Sequence, residues 1–315
     1  MKLTEQIEKE YGQIEKKEIK DINVPKSLNL QKTLNIDTLL DLYVLMQQDT
    51  LFERKPIFRN TRSDTSEDTD NCYHYIEEQI RHRVINKTLS YTPEDITSLS
   101  FQVTRTKSEH TISQLGLFLS ALINENFRRK KRESLYFIYA PDEEKFADTF
   151  TDPFIPRVDF LGYKNNGAHI LIIGAVGNGL CKKMSKGNIT LDGTCKDTLL
   201  PQLFVGQEMS GGSLIITGDV FGSCGYQMQG GSITVNGEVK KEDLVITNLR
   251  SKSRIGFMMN GGTITINEYH GKEIGIEMTG GIINIETGEC DISPRKKGGN
   301  IYYKGMLQET ENKEK

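Results

Sequence analysis

Five stretches of the chain repeat one another: "MSKGNITLDG", "MSGGSLIITG", "MQGGSITVNG", "MNGGTITINE" and "MTGGIINIET", starting at Met184, Met209, Met228, Met259 and Met278. The starts are 25, 19, 31 and 19 residues apart, so the unit is about nineteen residues with insertions around "CKDTLLPQLF" and "VKKEDLVITNLRSKSR". A weaker copy, "NNGAHILIIG", precedes them. A unit this short cannot bury its own apolar face, and repeats of this kind bury it by stacking. Inside each copy, apolar residues alternate with others: Ile189 and Leu191, Leu214 and Ile216, Ile233 and Val235, Ile264 and Ile266, and Ile283 and Ile285 hold matching places. Period two over five residues is a strand with one face turned inward. Stacked in register, these strands form a parallel sheet with a continuous core, and Leu214, Ile233, Ile264 and Ile283 share one inward row. The recurrent methionine reads as an inward corner residue, because an unbranched thioether fills irregular space. The glycine pairs after it supply positive φ and room for close stacking.

Glycine also marks a boundary. Only Gly12 and Gly116 precede residue 160, and the other 27 of 29 lie between Gly162 and Gly305. The expected organisation is a helical region over 1–61, a polar loop or linker over 62–71, a small mixed α/β domain over 72–160, the repeat over 161–290, and a basic cap and tail over 291–315. The expected fold class is an α+β amino-terminal domain followed by an all-β right-handed parallel β-helix of about six coils. In the first half, Leu34, Ile36, Leu39, Leu40, Leu42, Tyr43 and Leu45 are spaced for a helix with Asp37 as a cap. "RNTRSDTSEDTDN" has no apolar residue and reads as an exposed loop or disordered linker. "CYHYIEEQIRHRVINKTL" predicts an amphipathic helix, "TSLSFQVTRT" a strand, and "SLYFIYA" a buried strand stopped by Pro141. Between the last two, Ile112, Leu115, Phe118, Leu119, Leu122 and Ile123 form a helical stripe capped by Ser108 or Thr111, with the basic run Arg128 to Arg132 at the negative end of its dipole.

The stretch "GSCGYQMQGGSITVNG" from Gly222 to Gly237, with its copies, resembles the GXGXG β-helix of the carboxy-terminal part of the glutamate synthase large subunit and of the β-helical subunit of formylmethanofuran dehydrogenase. The resemblance covers residues 165 to 290. It implies a structural and docking element whose catalytic work is done by other domains or subunits. Those catalytic parts are not expected in this sequence: no cysteine follows Met1 in the manner of an amidotransferase, and no cysteine series suits an iron–sulfur cluster.

Candidate chemistry elsewhere is sparse. "GAVGNG" places glycines at 174, 177 and 179, the wrong order for a dinucleotide loop, and no amphipathic helix follows to receive a phosphate. No Walker A sequence occurs. Cys72, Cys181, Cys195, Cys224 and Cys290 contain no Cys-x-x-Cys half-site and read as buried reduced thiols. His74, His82, His110, His169 and His270 lack ligand spacing, although His74 and His82 fall near Glu77 and Glu78. Asp142, Glu143 and Glu144 form either a carboxylate cluster or a solvated face. A formal charge of −3 gives no global pull towards nucleic acid. The basic run and "PRKKGGNIYYKG", with Tyr302 and Tyr303 among its lysines, leave base stacking a minority reading beside a tail folded over the last coil. No residue of the repeat is expected to be catalytic, to hold a cofactor or to ligate a metal. The expected protein is a cytoplasmic scaffold or accessory subunit that binds a protein partner or a second copy and no membrane. The alternatives are an accessory subunit of a glutamate synthase-like or formylmethanofuran dehydrogenase-like oxidoreductase, and an enzyme with its site in the amino-terminal half.

Overall fold

The computed structural model describes residues 33–48, 66–105, 115–130, 135–141, 158–196, 204–240, 254–271 and 273–308. Ser108, His110, Thr111, Asp142, Glu143, Glu144 and most of the two repeat insertions lie outside the described residues. An amino-terminal helical region leads into a largely parallel multi-stranded sheet. None of the described helices is long and apolar enough to cross a membrane.

Helix α1, Thr33–Gln48, buries Ile36, Leu39, Leu42, Tyr43 and Met46 and exposes Leu45. It begins four residues before Asp37, which therefore sits in its second turn and is not its cap. Helix α2, Ser66–Ile85, buries Tyr73, Ile76, Ile80 and Val84, and it starts inside the tract expected to be a loop. Residues 66–71 are helix, and Asp70 is among them. Helix α3, Pro93–Arg105, replaces the strand expected at "TSLSFQVTRT". The deciding residues lie upstream. The Asp95 amide donates to Thr92 Oγ1 and the Thr92 amide donates to Asp95 Oδ2, a reciprocal cap with Pro93 at the first helical position. Ile96, Leu99, Ser100 and Val103 then fall on one buried stripe. Helix α4, Leu115–Lys130, buries every residue from Leu115 to Ile123 and not only the expected stripe of Leu115, Phe118, Leu119, Leu122 and Ile123; Ile112 lies outside the described residues.

Strand β1, Leu135–Tyr139, is the first rung of the sheet, and the sheet continues through β2 (Asn166–Ile173), β3 (Lys186–Asp192), β5 (Ser210–Ile216), β7 (Gly230–Lys240), β8 (Thr263–His270), β9 (Ile282–Gly288) and β10 (Asn300–Tyr303). Each of these pairs in parallel with the next. The short strands β4 (Cys195–Lys196) and β6 (Val220–Phe221) pair beside the main path, and β6 joins β7. Register puts Tyr136, Ile170, Ile189, Leu214, Ile233, Ile264, Ile283 and Ile301 in one buried row. Isolated parallel bridges make a further row through Val205, Cys224, Ile255, Ile274 and Ile292. One apolar core runs from Leu39 to Ile301 without a break at residue 160.

The repeated methionines are buried, and each S-methyl reaches the second glycine of the following pair: Met184 to Gly212, Met209 to Gly231, Met228 to Gly262, Met259 to Gly281 and Met278 to Gly299. The residue before each methionine is left-handed although it is not glycine: Lys183, Glu208, Gln227, Met258 and Glu277 hold φ between 52° and 58°. Two positions earlier in that turn stand Gly206, Gly225, Gly256 and Gly275, also at positive φ. A Cβ on Gly225 would collide with Ile264 Cδ1, so the turn packs directly on the next strand. Cys181, at φ 58°, takes the glycine's place in the one repeat where the residue in that register on the next strand is Leu214 instead of isoleucine.

Candidate functional site

The amino-terminal end of the sheet is tied down by polar contacts. Lys164 and Lys183 project from successive left-handed turns, and both ammonium groups pair with Asp70 of α2; Lys164 Nζ is 2.5 Å from Oδ1 and Lys183 Nζ is on Oδ2. The Tyr163 hydroxyl donates to the same carboxylate at 2.7 Å. Burial alone raises the Asp70 pKa, but the bonds from Lys164, Lys183 and Tyr163 outweigh it and hold the carboxyl well below its usual range. Lys183 also reaches Glu208 at 3.4 Å, so the clamp extends one repeat further. Asn124 of α4 donates to the Tyr73 hydroxyl and to the Tyr163 carbonyl. Lys182, between the clamped turns, is 1% exposed with its ammonium 6.0 Å from the centre of the Phe160 ring. Burial pushes its pKa down to about 8 against the opposing charge of Glu208.

The free edge of β1 is covered as well. Tyr139 N–H, which points away from β2, donates to Ser100 Oγ of α3, and the Phe101 ring packs edge-on against Tyr139 at 5.3 Å. The other end of the sheet differs. β10 turns through Lys304 and Gly305, both at positive φ, into β11, Met306–Gln308, which pairs antiparallel with it. Two left-handed residues in a two-residue loop are the favoured hairpin connection. β11 ends the sheet among the described residues, and there Met306 and Leu307 are 63% and 51% exposed. In such a hairpin the loop-closing pair, here Tyr303 and Met306, exchanges hydrogen bonds, so the backbone of Leu307 points outward from the sheet.

The groups singled out by sequence are mostly absorbed by the fold. Gly174 and Gly177 belong to a corner of the sheet: a Cβ on Gly174 would strike the Ala140 carbonyl at 2.5 Å, and Val176 bridges Val158 and Cys195. Cys181, Cys195 and Cys224 are buried free thiols, and burial pushes Cys224 up to about 12. Cys72 and Cys290 are half-buried. His74 lies 3.7 Å from Glu77 and 3.3 Å from Lys164 Nζ, whereas His82 faces Asn86 instead. Arg128, in the basic run, pairs with the buried Glu125. Tyr303 donates to the Gly288 carbonyl, with Lys304 over its ring, so that aromatic pair is partly committed to the fold.

One grouping in the repeat brings side chains of metal-ligand type near one another. Glu238, Glu268 and His270 have ligand atoms all within 4.8 Å of one another. Glu238 and Glu268 are register partners on β7 and β8, and His270 partners Lys240. His270 Nε2 is 2.9 Å from Glu268 Oε1, while Lys240 Nζ is 3.0 Å from Glu238 Oε2 and 2.8 Å from Asp219 Oδ2. The intervening Val239 and Tyr269 are fully buried, which fixes the outward direction of their neighbours. Sequence alignment of the repeats misses the pair because the register shifts between Val235 and Glu238; counted without that bulge, Gly237 falls opposite Glu268.

No protein-family model, no curated protein and no solved structure matches the chain.

Proposed function

We propose that the protein is a non-catalytic scaffold or accessory subunit whose repeat closes into a right-handed parallel β-helix of about six coils, of the GXGXG type, and docks a protein partner at its carboxy-terminal end. The parallel rows of register at several positions of each repeat support the closed coil. The observation that carries the docking reading is the difference between the two ends. At β1 the outward N–H is taken by Ser100 and the edge is under α3, whereas at β11 the backbone of Leu307 faces outward and the side chains of Met306 and Leu307 are exposed. An open strand edge pairs readily with another chain, and an extended partner segment added to β11 gains backbone hydrogen bonds together with contact to Met306 and Leu307. Buried free thiols fit a reducing, cytoplasmic setting for this assembly.

The test is recovery of co-purifying protein with the tagged full chain from its native cell. Leu307→Pro removes the outward N–H while leaving the ladder bonds to β10 in place, and it is expected to lose the partner. Ile85→Lys, at an exposed site on α2, is expected to keep it. Recovery of the same partner with Leu307→Pro contradicts the reading.

A further inference from the structure

We propose that Glu238, Glu268 and His270 form a binding site for a divalent transition-metal ion on the outer face of the sheet. Two carboxylates set directly opposite each other on neighbouring strands repel, and here the register shift before Glu238 brings it, instead of Gly237, opposite Glu268. A cation between them removes that repulsion. Ligands on an ion with bonds of about 2.1 Å lie no more than about 4.2 Å apart, so ligand atoms already within 4.8 Å of one another reach that spacing with a small movement of side chains that are half-buried (Glu238, Glu268) or exposed (His270). The imidazole sets the class of metal: one nitrogen and two carboxylate donors favour zinc, cobalt or manganese over calcium and magnesium, which prefer an all-oxygen shell. Lys240 Nζ stands 3.0 Å from Glu238 Oε2 and 2.8 Å from Asp219 Oδ2; on ion binding Glu238 turns to the metal and Lys240 keeps Asp219. Buried Val239 and Tyr269 anchor the backbone beneath, so the three ligands sit on rigid strands. Three protein donors leave the remaining positions to water or to a donor from a bound partner.

Cobalt(II) titrated into the full chain near neutral pH, followed by visible absorption and by calorimetry, tests the site. The expected result is saturable binding at one site without thiolate-to-metal charge transfer, weakened at least about tenfold by Glu268→Gln and by His270→Gln. His270 is exposed and Glu268 is half-buried, and neither substitution touches the buried row, so both variants are expected to keep the circular dichroism of the parent; should one lose it, the other decides. Absence of cobalt binding, binding carried only by thiolates, or equal binding by the parent and a folded variant overturns the proposal.

Discussion

The S-methyl carbon of Met228 lies 2.6 Å from where a β-carbon on Gly262 would sit, one repeat further along the chain. The methionine and the glycine pair are thus two halves of one contact, and the repeated motif carries both because each repeat supplies the methyl to the next one and receives it from the one before.

Gly262→Ala therefore meets two penalties: a left-handed φ of 87° and an overfilled corner. Together they are expected to cost roughly 2–4 kcal/mol. Gly305→Ala, at φ 74° with nothing within 4 Å, meets only the first and is expected to cost about 1–2 kcal/mol. Denaturant melts of both variants check the difference; equal losses would show that the packed methyl plays no part.

Ile233 is fully buried in the row between Leu214 and Ile264. Ile233→Ala is expected to destabilise by about 2–4 kcal/mol. A loss near that of an exposed site, read from the same melts, would place the side chain outside the core.

The Asp70 clamp predicts an acid-sensitive junction. Since its folded pKa is depressed, its contribution is fully present above the unfolded carboxylate value near 4 and is lost as pH falls through the folded value. Asp70→Asn is expected to be less stable than the parent at pH 7, with the gap narrowing as pH drops below about 4. A gap that stays constant down to pH 2 would remove the charge from the account of this contact.

Lys182 carries the opposite sign. Its folded pKa is pushed down to about 8, so between that value and the ordinary lysine value near 10.5 the unfolded chain holds a proton that the folded chain has released. Stability from this group rises with pH across that window. Lys182→Met is expected to remove the rise and to be neutral or stabilising at pH 7. Identical pH dependence in parent and variant would show that the amine is solvated after all.

The inward row, the methionine corner and the turn glycines are legible in the sequence because each depends on spacing within about nineteen residues. What escapes depends on relations that spacing does not carry. A window that begins at Thr97 reads α3 as a strand, because the Thr92 and Asp95 cap and the stripe starting at Ile96 lie partly outside it. Asp70 sits in a tract without apolar residues, yet its partners are Lys164 and Lys183, near in space only because α2 lies against the first turns of the sheet. Glu238 and Glu268 are hidden by the register shift after Val235.

The proposed docking at β11 is tested most directly by placing a photo-reactive residue at position 307 in the full chain, with position 85 as the control, and irradiating the native cells. Both sites are exposed, at 51% and 69%, so reach alone does not separate them. The account predicts one discrete adduct of constant mass from position 307 and none from position 85. No adduct at 307, or the same adduct from both positions, would contradict it.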